Sequence, residues 1–206
     1  MKRALACSLL ALVGRAAGAG SVTYEIEPAE RSVTIQVGRA GLLKFAGHTH
    51  EVVAPAFGGQ VVVDDELLAR SSVTVEFESA ALRVTGKGEP PDDVPKVQEN
   101  MVGPKVLDVA RYPKVAFRSR SVEGRRVSAG VYEIVVSGDL SLHGATRAVV
   151  LPLRIETNGD TLTATGRTTL RQTDFGMKPL SVGGVVNVKN ELGVELNVVA
   201  RKKPSS

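Results

Sequence analysis

Two histidines one residue apart, His48 and His50, are the sharpest chemical feature of this 206-residue chain. In an extended segment residues i and i+2 share a face, so two imidazoles placed this way could grip one metal ion. A working centre needs a third ligand. His143 and Glu51 are the candidates, although Glu51 would point away from His50 in a regular strand. Two other readings stand beside the metal. The pair could sit at a loop-to-strand junction, hydrogen-bonded to backbone, or it could touch the polar head of an amphiphile.

Other chemistry-bearing residues give weaker signals. Ser141 and His143 have the types of a nucleophile and its base. No acid is placed to orient the histidine and there is no GxSxG elbow, so a turn histidine beside Gly144 is the simpler reading. Gly86-Lys87-Gly88 lacks the frame of a phosphate loop and reads as a surface turn. Asp64-Asp65-Glu66 and Asp92-Asp93 lack calcium-loop spacing and read as solvated turns. The single cysteine, Cys7, excludes an internal disulfide, a four-cysteine zinc site and a CxxC redox pair. These residues imply no cofactor and no complete set of metal ligands.

Charge adds little. The formal net charge is +4, but Lys2, Arg3 and Arg15 lie in the first 19 residues, which contain no acid. Without them 23 basic residues face 22 acidic ones. Arg125-Arg126 and Lys202-Lys203 are short pairs, not a basic stripe interleaved with aromatics, so nucleic acid is not an expected partner. Lys2-Arg3, the apolar run 4–13 and the small residues Ala17-Gly18-Ala19 have the order of a secretory signal peptide. Residues 1–19 are therefore expected to be a leader and 20–206 one domain, periplasmic or secreted. The apolar run is about half the roughly 20 residues that a spanning helix needs, and no later segment approaches that length.

The elements that must hold these side chains read as strands. Val33-Thr34-Ile35-Gln36-Val37 alternates, and so does the run from Val73 to Glu78, with Val73, Val75 and Phe77 on one face and Thr74, Glu76 and Glu78 on the other. Apolar runs near 61–63, 115–117, 132–136, 149–155 and 192–198 continue the series. Gly58-Gly59, Asn158-Gly159 and Gly183-Gly184 punctuate it, and Asn158-Gly159 is a hairpin signal. About eight strands with short turns give an all-β antiparallel barrel or sandwich. Leu67-Leu68-Ala69 reads as one helical turn. Within the proline-rich stretch 86–112, Pro95 to Met101 reads as a short helix and Val106 to Ala110 as a second helical turn.

Three ordered blocks carry a resemblance. They are Gly47-His48-Thr49-His50 with Phe57-Gly58-Gly59-Gln60-Val61, then Val97-Gln98-Glu99-Asn100-Met101 through Tyr112-Pro113-Lys114-Val115-Ala116-Phe117, then Gly138-Asp139-Leu140-Ser141-Leu142-His143-Gly144 through Thr173-Asp174-Phe175-Gly176. Over about residues 22–200 the chain resembles the YceI-like family of exported lipid-binding proteins. The resemblance implies an extended eight-stranded antiparallel barrel, lipocalin-like, with short helical segments near 95–110 and an elongated apolar interior for an isoprenoid or other long amphiphile. It implies a binding protein, not an enzyme, and is compatible with a homodimer. The family's Arg-Asp pair in the central segment is replaced here by Gln98-Glu99-Asn100, which puts in doubt any headgroup contact that pair makes.

The residues expected to meet such a ligand are Phe45, His48, His50, Phe57, Phe77, Phe117 and Phe175, with Phe45 and the histidines near the barrel mouth. A metal-dependent enzyme using His48 and His50, and a ligand-free envelope protein or redox partner, are the competing functions. A chamber lined by aliphatic side chains separates the first reading from the last.

Overall fold

The computed structural model describes residues 20–28, 32–40, 49–54, 58–182 and 186–204. The leader, the predicted mouth residues Phe45 and His48, and the predicted ligand contact Phe57 lie outside the described residues. Twelve strands form: β1 (Ser21–Ile26), β2 (Val33–Ala40), β3 (His50–Ala54), β4 (Gly58–Asp64), β5 (Ser72–Glu78), β6 (Arg83–Val84), β7 (Lys114–Ser128), β8 (Val131–Leu142), β9 (Ala145–Asn158), β10 (Thr161–Arg171), β11 (Ser181–Val182) and β12 (Val186–Lys202). All pairings are antiparallel, and eight strands close into a barrel when β1 pairs with β12.

Register shows why there are more short strands than barrel staves. β1 pairs with the end of β12, from Tyr24↔Lys202 to Ile26↔Ala200, and β2 continues along the same edge from Val33↔Leu196. β3 pairs with β2, while β4, the next strand in the chain, pairs with β1. β5 pairs with β4, and β6 pairs with β3. Three staves are thus each broken into two strands. Five unbroken ones, β7, β8, β9, β10 and β12, complete the ring.

Alternation fixes which side chains point inward. Val73, Val75 and Phe77 all face the interior, as the period-two pattern predicts. In β7 the parity changes: Val115 and Phe117 point inward, and so does Val122. The β7–β8 register shifts between Ser119 and Ser121, and this bulge absorbs one residue.

The turns follow local chemistry. His143 and Gly144 both have positive φ, 50° and 73°, and join β8 to β9 across the Leu142↔Ala145 pair. Two left-handed residues match the twist of the flanking strands. Asn158↔Thr161 closes the next hairpin around Gly159-Asp160. The expected turn at Leu67–Ala69 forms as a 3-10 turn at Leu68–Arg70.

Two expectations need correction. The stretch 95–110 contains one helix, α1 (Val94–Val102), with Pro95 in its first turn. The second helical turn at 106–110 is replaced by hydrogen-bonded turns. Leu107 N–H bonds to Met101 O and Asp108 N–H to Gly103 O, while Asp108 takes a left-handed φ of 46° that ends any helical run. Asp64 is not solvated either. It is 2% exposed, its Oδ1 accepts from the Leu67 N–H at 2.8 Å, and Arg70 lies 3.6 Å from Oδ2. Its carboxylate organises the β4–β5 turn.

Candidate functional site

The barrel interior holds a cavity of about 420 Å³. Inward-facing residues of nearly every stave line it: Ile35 and Val37 from β2, Val75 and Phe77 from β5, Ile134, Val136 and Leu140 from β8, Leu151 and Leu153 from β9, Leu170 from β10, and Leu192 and Val194 from β12. Its size falls within the range of small-molecule pockets. Gly138 makes room for one of its aromatic walls. A Cβ there would lie 2.6 Å from Phe117 Cζ, so only glycine lets the ring lie across β8.

One end of the cavity is closed in hydrophobic packing. Tyr132, Ile155 and Leu162 reach the lining, and Tyr24 and Ala200 pack with them in the main core. Burial pushes the Tyr24 hydroxyl above the usual tyrosine pKa, aided by the neighbouring Tyr132, Asp160 and Asp65.

At the other end α1 replaces a strand. Among the described residues β6 pairs only with β3, and its far edge is held by a side chain instead. The Gln98 amide accepts from Val84 N–H at 2.8 Å and donates to Leu82 O at 3.0 Å. This imitates a sheet ladder and fastens the helix where β6 has no strand neighbour. Val97, Asn100 and Met101, at helical spacing i, i+3 and i+4, then present one face to the cavity.

His50 lies at this helix-covered end. It is opposite Val37 in the β2–β3 pair and lines the cavity. Glu51 points the other way, as strand geometry requires. Its carboxylate accepts from Gln36 at 2.9 Å, Thr85 at 3.2 Å and Lys87 at 3.3 Å. Lys87 belongs to the Gly86–Gly88 segment, whose two glycines have positive φ. That segment is a turn, as expected from sequence.

Among the predicted contacts, Phe77 and Phe117 line the cavity together with His50. Phe175 is 2% exposed and packs in the core, outside the described lining. Its carbonyl accepts a hydrogen bond from His143 Nδ1 at 3.0 Å. The His143 ring also packs on Tyr112, with centroids 4.5 Å apart. Ser141 Oγ bonds to Thr146 Oγ1 at 2.8 Å. His143 is thus a hairpin-corner residue. Among the described residues no group of three or more His, Cys, Asp or Glu side chains comes together in a metal-binding arrangement.

Sequence reasoning missed two residues here. Glu89 carries a side chain only 1% exposed, with Oε1 3.0 Å from His50 Nδ1. The two atoms are close but lack the alignment of a hydrogen bond. Gln98 was placed in the central motif, but its clamp on β6 has no local signature. Among the described residues no helix is long and apolar enough to cross a membrane.

A closed eight-stranded barrel around an aliphatic chamber, one end capped by a helix, has the architecture of a binding protein for apolar ligands. The YceI-like domain profile matches residues 24–200, and the chain belongs to that family. A UPF0312 protein of Vibrio cholerae is 24% identical over 202 residues, covering 94% of this chain and 97% of its own. Among solved structures, Burkholderia cenocepacia BcnA superposes with a TM-score of 0.62 at 18% identity, over 85% of this chain and 95% of its own. A polyisoprenoid binding domain from Saccharophagus degradans, implicated in plant cell wall breakdown, gives 0.61 at 8% identity, over 88% and 99%. A Campylobacter jejuni YCEI protein gives 0.57 at 10% identity, over 75% and 85%.

Proposed function

We propose that this protein is an exported carrier that takes one long-chain amphiphile, isoprenoid or fatty-acid-like, into the barrel and keeps its tail from water. The observation that carries this reading is the cavity of about 420 Å³ with walls mostly of valine, leucine and isoleucine. Each buried methylene contributes about 0.8 kcal/mol. Ten of them therefore outweigh an ordering and association cost of several kcal/mol. Aliphatic walls suit a flexible hydrocarbon, and the polyisoprenoid-binding relative supports a chain of this class. Phe77 and Phe117 flank the tail. Phe45, His48, His50 and Phe57 complete the proposed ligand contacts. The basic, apolar and small-residue order of 1–19 supports export to the periplasm or beyond.

The test is mass spectrometry of an organic extract from protein expressed with its leader and purified without detergent. The expected result is a long-chain lipid in near-stoichiometric amount. Repeated lipid-free preparations that also fail to bind the apolar dye N-phenyl-1-naphthylamine would overturn the proposal.

A further inference from the structure

Resting on the carrier reading, we infer that His50 and Glu89 form a headgroup subsite that selects an uncharged, hydroxyl-bearing chain end over an anionic one. His50 is the one imidazole in the described lining, and no described lining residue is Lys or Arg. Its Nδ1 is buried against Glu89 Oε1 at 3.0 Å, and the Glu89 side chain is 1% exposed. With Nδ1 enclosed, Nε2 is the ring nitrogen left for the cavity.

A carboxyl group, of the same sign as an anionic head, thus stands 3.0 Å from the imidazole. The pair therefore has no spare positive charge for an anion. An anionic head would bring an uncompensated charge into an apolar chamber, which is costly. Lys87, two residues from Glu89, does not supply the missing cation, because its ammonium lies 3.3 Å from Glu51 on the opposite face of β3. A hydroxyl both donates and accepts, so it suits Nε2 in either tautomer and adds no charge. Glu89 is a positioning residue in this arrangement, acting on the ligand through His50.

The experiment compares 1-dodecanol with dodecanoate as displacers of N-phenyl-1-naphthylamine from delipidated full-length protein at pH 7. Wild type, Glu89→Gln and His50→Gln are measured, with thermal unfolding as a check on folding. The wild type is expected to prefer the alcohol at least ~10-fold, equivalent to about 1.4 kcal/mol. Glu89→Gln, which removes the carboxyl group that repels an anionic head, shrinks that ratio at least fivefold through tighter dodecanoate binding. His50→Gln removes the Nε2 that meets the hydroxyl and narrows the ratio through weaker dodecanol binding. An unchanged ratio across the three proteins, or equal weakening of both ligands in Glu89→Gln, overturns the subsite and leaves the carrier reading intact. Failure of both chains to displace the dye from wild type overturns the carrier reading as well.

Discussion

The two ends of the cavity are walled by similar aliphatic residues but closed by different physics. At the tyrosine end, Leu162 is 1% exposed, Ala200 0%, and Tyr24 and Tyr132 6% each. Strand pairing supplies much of that closure, with β10 and β12 in register from Thr161↔Arg201 upward and β1 closing onto β12, although β5 leaves β7 after Thr74↔Arg118. At the helix end, Val37, Leu170, Leu192 and Met101 remain half-buried although they belong to the same lining. Among the described residues, closure there uses the Gln98 side chain and one face of α1. The imidazole, its buried carboxyl partner and the cavity-facing amide of Asn100 are also at this end. A continuous ladder leaves no backbone group to satisfy and can be wholly apolar. A helix set into a wall leaves an edge that polar side chains must complete.

The largest expected difference between the ends is in stability. Leu162→Ala removes a side chain only 1% exposed and should cost about 3 kcal/mol. Leu170→Ala removes one that already borders open space, forfeits fewer contacts and should cost about 1 kcal/mol. Urea unfolding of the two variants measures the gap. Equal losses would mean that the chamber is filled at both ends, contrary to the comparison.

The clamp gives the next largest effect. Gln98→Ala strips hydrogen-bond partners from Val84 N–H and Leu82 O, in residues 8% and 4% exposed. The expected loss is about 1–3 kcal/mol. Its location distinguishes it from a general weakening. Hydrogen exchange should accelerate at the Val84 amide and through α1, with β8, β9 and β10 unchanged. Uniform acceleration over the whole barrel would show that the helix is an integral stave and not a separately fastened closure.

The sequence disclosed these two ends unequally, for a physical reason. Period-two alternation identified Val73, Val75 and Phe77 as one face, and Asn158-Gly159 marked the hairpin, because both signals are local. The breaks between β1 and β2, β3 and β4, and β5 and β6 escaped notice because what unites each pair is the shared edge of a distant neighbour, β12 for the first. Val122 falls off the parity of Phe117 because of a bulge whose only sign is a register shift. In Gly88-Glu89-Pro90 nothing marks the glutamate as buried, since its partner is on β3. Asp64 was hidden in the same way by two exposed acidic neighbours. The family motifs recovered the helix and His50 but not the contacts that give either one its role.

The smallest predicted effect comes from the tyrosine end and tests whether it is as dry as its packing implies. Burial raises the Tyr24 pKa above its ordinary value near 10, with Tyr132, Asp160 and Asp65 pushing the same way. A raised folded-state pKa means that the folded protein holds the phenolic proton at a pH where the unfolded chain has begun to release it. The stability linked to that proton is therefore complete below about pH 10 and declines as pH rises through the folded value. Tyr24→Phe removes the ionisable group and should flatten the alkaline part of a stability-against-pH curve, with little change at pH 7 beyond any lost hydroxyl contact. Fluorescence-detected or circular-dichroism melts between pH 8 and 11 measure it. If the two proteins lose stability in parallel, the Tyr24 hydroxyl reaches water freely, and the end that differs from the helix-covered one by its dryness is wet.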